Sequence, residues 1–173
     1  MFKKLKTQKI NRLSIEELQQ SEKKPVVVIL DNVRSLNNVG SIFRTSDGFR
    51  IEKLYLCGIT GTPPDKDIHK TALGAENSVN WEYVSSSFEL GKKLIEDGYN
   101  LVAVEQAEGS ILLNDFKLDK NKKIGIIFGN EIEGVSENLL QICHQCIEIP
   151  QFGNKHSFNV SVCAGIVLWE LLK

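Results

Sequence analysis

Long apolar runs are scarce in this chain of 173 residues. The one near its end, Val162 to Trp169, falls far short of the roughly 20 residues that a membrane-spanning helix needs. The basic opening, Met1 to Arg12, has no apolar stretch behind it, so no signal peptide is expected. A soluble, cytoplasmic protein with no membrane partner follows as the expectation. Prolines number 4 and glycines 13, too few for a low-complexity linker, and no internal repeat is seen. Apolar residues at 42% and charged ones at 25% exclude a disordered or fibrous chain.

Cysteine is sparse as well. Cys57 and Cys163 sit in apolar runs, where a small thiol packs like other core residues, which fits a reducing compartment. Cys143 and Cys146 flank His144. That spacing reads either as half a zinc site or as a helix end running into a strand. A full site needs a second ligand pair, and His69 and His156 stand alone, so no metal is expected. The usual phosphate cradles, G-x-G-x-x-G after a strand and G-x-x-x-x-G-K-[ST], are missing, as is the G-x-S-x-G of hydrolases. Phosphoryl transfer and serine hydrolysis therefore drop out.

What is present is unevenly placed. The net charge of −1 hides a division. Residues 1–24 hold seven Lys/Arg against three Glu, leaving 14 basic and 19 acidic groups for the rest. A basic arm on an acidic body attracts a polyanion locally; a solvated leader is the alternative. The arm is read as residues 1–24, with one domain over 25–173.

Strand and helix signals alternate through that domain. Ser14 with Glu17 and Ser86 with Glu89 are capping boxes, the first for a short helix carrying Ile15 and Leu18, the second for a helix to Glu96. Apolar runs at Val26–Leu30, Leu54–Cys57, Leu101–Val104, Ile124–Phe128 and Cys146–Ile149, with Trp81–Val84, predict strands. Helices are expected over Asn38–Phe49, from a Ser136 cap to Ile142, and over Asn159–Leu172; Gly58–Asp67 reads as turns. The pattern argues for an α/β fold with a mostly parallel sheet flanked by helices.

Ligands of such sheets gather outside the carboxyl ends of the strands. There this chain places Asp31 through Arg44, Gly129 through Gly134, and Pro150 through Ser161, all rich in glycine, amides, hydroxyls and charge. That concentration marks a site for a small polar ligand and an anionic partner.

These loops carry a resemblance. Asn38-Val39-Gly40-Ser41-Ile42-Phe43-Arg44, Ile127-Phe128-Gly129-Asn130-Glu131-Ile132-Glu133-Gly134, and Ile149-Pro150 followed by Ser157-Phe158-Asn159-Val160-Ser161 resemble, in order, the motifs of the SpoU branch of the SPOUT methyltransferases, the TrmH-like RNA 2′-O-methyltransferases. Thr71 to Glu76 is similar to the family's loop between the second and third strands. The resemblance implies a C-terminal trefoil knot, which periodicity does not reveal. It implies S-adenosylmethionine as cofactor, held by Val104, Gly129, Asn130, Ile149 and Phe158, and RNA as substrate through a ribose 2′-hydroxyl.

Catalytic roles are expected for Arg44, Glu131, Asn38, Ser157 and Asn159. Deprotonating a guanidinium at neutral pH costs roughly 8 kcal/mol. Arg44 is therefore expected to grip a phosphate and stabilise charge on the attacking oxygen, with Glu131 orienting it. Asn38 is a helix cap or an RNA contact; Ser157 and Asn159 are caps or contacts to donor and ribose; Glu133 is solvated. The last helix is apolar nearly all round and must be buried on all sides, by its own core or by the family's homodimer. With about 25 residues before the first strand, recognition is expected to rest on the arm and the dimer surface, favouring tRNA over rRNA. A non-catalytic RNA-binding module and a small-molecule α/β enzyme are the rival readings.

Overall fold

Val26 to Leu30 is a run of five aliphatic side chains, and the pleat sends alternate ones to opposite faces. Val26, Val28 and Leu30 join one core, while Val27 and Ile29 join another. The strand they form lies inside a sheet covered on both sides. The computed structural model describes residues 2–4, 14, 17, 21–119 and 121–173.

The elements follow one another as β1 (Lys24–Asp31), α1 (Leu36–Phe49), β2 (Ile51–Cys57), α2 (Lys66–Ala72), a 3₁₀ turn (Ala75–Asn77), β3 (Trp81–Val84), α3 (Ser87–Glu96), β4 (Tyr99–Val104), β5 (Ile111–Leu112), β6 (Lys123–Phe128), α4 (Glu137–Gln141), β7 (Gln145–Glu148) and α5 (Val160–Leu172). The seven strands form one sheet in the order β3-β2-β1-β6-β4-β7-β5, every pair parallel. Helices α1, α2 and α5 pack on one face through Phe43, Ile68, Ala164 and Leu168. On the other, α3 and α4 contribute Leu90, Leu94 and Leu139.

Gly40 explains part of the first motif. A Cβ there would lie 2.1 Å from the Thr71 hydroxyl and 2.3 Å from the Ile68 carbonyl oxygen, so only glycine lets α2 seat on α1. Thr71 in turn donates to the Asn37 carbonyl at 3.0 Å. Thr71 and Ala72 thus belong to a helix end rather than to a loop, and α2 occupies ground read as turns. Asp65 caps it, accepting from the main chain of Asp67 and Ile68.

Two other expectations change. Ser136 stands at the N-cap of α4, but its hydroxyl makes no cap bond; it donates instead to the buried Asp31 carboxylate at 2.6 Å. Helix α5 is not covered all round within one chain, since Val162 and Trp169 are 47% and 63% exposed. The Ser14–Glu17 box is formed, each side chain accepting the other's main-chain N–H, whereas Ile15 and Leu18 lie outside the described residues. Among the described residues no helix is long and apolar enough to cross a membrane.

Candidate active site

Register brings the site together. Leu30 pairs with Phe128, Phe128 with Val104, and Val104 with Ile147. The residues that follow each one, Asp31, Gly129, Glu105 and Glu148, therefore leave the sheet side by side at its carboxyl edge. Above that edge lies a pocket of about 340 Å³ lined by the segments 104–106, 128–134, 148–151 and 157–163, within the range that holds a small cofactor.

The loop after β6 closes on itself. Asn130 and Gly134 exchange main-chain hydrogen bonds at 2.9 and 3.0 Å. A Cβ on Gly129 would meet the Gly134 carbonyl carbon at 2.1 Å and the Val135 nitrogen at 2.2 Å. The bare Gly129 thus makes room for the loop's own return strand. Gly134 has φ of +70°, a conformation that favours glycine.

Carboxylates bolt this loop down from three directions. Glu105 accepts from the Val135 N–H at 3.0 Å, and Asp31 accepts from the Ser136 N–H at 2.7 Å. Glu131 reaches the other way, to the start of α1. It accepts from the N–H groups of Arg34 and Ser35 and from the Asn38 side-chain amide, each at 3.0 Å. Burial disfavours the Glu131 charge, but these donors outweigh it, and its carboxyl sits below the ordinary 4.5.

Asn38 passes the connection on. Its amide oxygen accepts from Asn159 at 3.0 Å, and Asn159 caps α5 by accepting from Ser161. The chain Glu131–Asn38–Asn159 ties the three motif segments to one another. Asn38 is buried and is not the cap of α1; Ser35 is.

Val104, Gly129, Asn130, Ile149 and Phe158 line the pocket, as do Glu131, Ser157 and Asn159. Asn38 stands behind it. Arg44 lies elsewhere: it is exposed on α1, outside the lining, and its side chain makes no hydrogen bond or ion pair among the described residues. The expected Glu131–Arg44 pairing is replaced by the grip on the α1 N-terminus. Glu133 is exposed. Glu105, Gln106, Glu148 and Gln151 line the pocket although no motif pointed to them. Their signal was positional, each standing just after or at the end of an apolar strand.

The Cys143–Cys146 segment is tied to the backbone. Cys143 and Cys146 direct their thiols at the Leu139 and Glu105 carbonyls, and His144 Nδ1 accepts from the Leu101 N–H at 3.1 Å. Burial, with Cys146 and Asp31 nearby, pushes the Cys143 thiol up to about 12.

A parallel α/β sheet with glycine-bearing loops over a pocket at its carboxyl edge defines a protein that binds a small ligand where strand ends meet. Residues 25–169 match the model of the SpoU rRNA Methylase family, and the chain belongs to that family. A tRNA (guanosine(18)-2′-O)-methyltransferase of Thermus thermophilus is 31% identical over 160 residues, 92% of this chain and 80% of that one. The crystal structure of an A. aeolicus TrmH/SpoU tRNA modifying enzyme superposes with a TM-score of 0.79 at 28% identity, covering 90% of this chain and 78% of that one. An AdoMet-bound rRNA methyltransferase of Sinorhizobium meliloti gives 0.80 at 25% identity, over 88% and 58%.

The fold is accordingly the SPOUT fold. The protein is an RNA 2′-O-methyltransferase that uses S-adenosylmethionine, acting on tRNA or rRNA.

The pocket's chemistry fits that cofactor. Val104, Phe128, Ile149 and Val160 give apolar walls, and the loop turns offer main-chain groups. Three glutamates and no basic side chain line it, which suits a ligand of net positive charge.

Proposed function

We propose that the chain methylates a ribose of tRNA as a homodimer, with a donor pocket in each subunit and Arg44 serving the acceptor. The observation that carries the reading is the Glu131–Asn38–Asn159 chain, which draws all three motif segments around one pocket. The Thermus relative acts on guanosine 18 of tRNA, so that position is the first to examine. The basic arm, residues 1–24, adds phosphate contacts that fix position rather than sequence.

In this reading Val104, Gly129, Asn130, Ile149 and Phe158 hold the cofactor. When bound, S-adenosylmethionine supplies an electrophilic methyl group. Asn38 and Glu131 act as positioning residues, keeping the loop after β6 against α1. Ser157 and Asn159, at the pocket's edge, meet the ribose. Arg44 holds the neighbouring phosphate and stabilises negative charge on the attacking oxygen.

The dimer reconciles Arg44 with the pocket. The exposed stripe of α5, Val162 and Trp169, continues into Phe158, 42% exposed and itself part of the pocket lining. A second copy seated on that stripe abuts the pocket, and α1, which packs against α5 through the shared core, then brings Arg44 of the second copy to its mouth. The stripe is also an apolar surface that a dimer covers.

Two experiments test this. Purified protein is given tRNA transcripts or 23S rRNA fragments, and the digested nucleosides are analysed by mass spectrometry. A 2′-O-methyl nucleoside from tRNA alone supports the reading, and one from rRNA alone overturns it. Next, Arg44→Ala chains are mixed with Gly129→Val chains, each inactive alone. Recovery of roughly a quarter of wild-type activity, as expected for random pairing of two-fold dimers, supports Arg44 acting across the interface. No recovery places it in its own subunit's site.

A further inference from the structure

The lining of the donor pocket is one-sided in charge. Glu105, Glu131 and Glu148 contribute to it, and no lysine, arginine or histidine does. The three carboxylates are not equivalent. Glu131 is held by two main-chain N–H groups and an amide at the start of α1. Glu105 accepts from the N–H groups of Gln106 and Val135 at 2.9 and 3.0 Å. The Glu148 side chain makes no hydrogen bond or ion pair among the described residues, although its main-chain carbonyl is fixed by the Leu113 N–H at 2.8 Å. Parallel register sets Glu105 and Glu148 beside each other, since Val104 pairs with Ile147.

We propose that Glu105 and Glu148 make the pocket select by charge, favouring the sulfonium donor over the neutral thioether product. The inference rests on the reading of this pocket as the donor site. During transfer the sulfur–methyl bond breaks and its electron pair stays on sulfur. The carbon bonds to the ribose oxygen, and that hydroxyl's proton leaves to water. The ligand thereby falls from a net charge of +1 to zero while keeping nearly the same shape. In a half-enclosed site a unit charge near two carboxylates interacts more strongly than in bulk water. Methyl transfer therefore removes part of the ligand's own hold on the pocket, and product leaves more readily than donor.

Isothermal calorimetry on the full chain, without RNA, reads this directly. The ligands are S-adenosylmethionine, S-adenosylhomocysteine and sinefungin, whose protonated amine replaces the methylsulfonium. The wild type is expected to bind the two cations roughly three- to tenfold more tightly than the thioether. Glu148→Gln, which keeps shape and removes charge, is expected to shrink that ratio about threefold, chiefly by weakening the cations. Glu105→Gln keeps an acceptor for Val135 and is expected to do the same. Melting curves check that each variant folds, and Glu148→Gln carries the test if Glu105→Gln does not. Equal affinities in the wild type, or a ratio unmoved by both variants, overturn the proposal. Binding of none of the three ligands overturns instead the donor-site assignment beneath it.

Discussion

The hollow between Pro63 and Trp81, about 630 Å³, is larger than the motif-lined pocket of about 340 Å³, yet their walls differ in kind. The larger is built almost wholly by the single crossover from β2 to β3, and its hydrogen bonds run to partners close by in sequence, with Glu76 Oε2 buried and unpaired among the described residues. Asp65 caps α2 two and three residues on, and His69 pairs with Glu76. The smaller is walled by segments leaving β4, β6 and β7 and by the start of α5. Its bonds join residues 93 and 121 positions apart. Size marks neither as functional. What separates them is the convergence of several strand ends, tied together by hydrogen bonds between segments far apart in the chain.

The largest expected effect falls on the loop after β6. Gly129→Val forces the loop open, because any Cβ meets backbone; such overpacking costs about 1–3 kcal/mol. Donor affinity by calorimetry should fall roughly 10- to 100-fold, with turnover falling further. Glu131→Ala comes next. It leaves three donors at the start of α1 without their acceptor, and turnover should drop at least about tenfold with a smaller change in donor affinity.

Acidity sharpens the same point. The Glu131 carboxyl titrates below its ordinary 4.5, so the charge-dependent stability it confers is complete above that value. It is lost as pH falls through the lower folded-state value. Thermal melts of wild type and Glu131→Gln should differ at pH 7, and the difference should shrink as the solution is acidified below the carboxyl's ordinary 4.5. An unchanging difference would mean that its charge contributes nothing to holding α1.

The other hollow should matter to stability and not to turnover. His69→Ala takes the partner of Oε1 from Glu76, whose side chain is only 9% exposed and whose Oε2 is already unpaired. It should lower Tm, by the cost of a buried acceptor left unmatched, and leave methylation within about twofold. The smallest effect concerns the thiols. Burial, with Asp31 nearby, pushes the Cys57 thiol up to about 12, and Cys143 is similar. Neither should be alkylated by iodoacetamide at pH 8 over an hour, as read by intact mass.

Much of this contrast is legible in the chain. The apolar runs predicted β1, β2, β4, β6 and β7 to within a few residues, because fully buried strands need uninterrupted aliphatic side chains. Strand β5 escaped, being only Ile111 and Leu112. Helix α2 escaped because seven residues, four of them charged or histidine, carry no periodicity that competes with the glycines and prolines before it. Asp65 was the one local sign.

Within the site, Asn38, Glu131 and Asn159 were visible as motif members, but their mutual bonds were not, since sequence records no distance across 93 or 121 positions. Glu105 and Glu148 each stand at the end of an apolar strand, but that they adjoin follows only from register, which depends on strand order. The expectation that Glu131 orients Arg44 overlooks the unsatisfied N–H groups at the start of α1, which take its carboxylate instead. The exposed stripe of α5 shows that an apolar circumference need not be covered by its own chain.

The most direct test follows the methyl group itself. Purified protein is incubated with tRNA and S-adenosylmethionine bearing a deuterated methyl, and the RNA is digested to nucleosides for fragmentation by mass spectrometry. The account predicts the label on ribose, lost from Gly129→Val and Glu131→Ala in that order of severity. Label on a nucleobase, or undiminished ribose labelling by Gly129→Val, would contradict it.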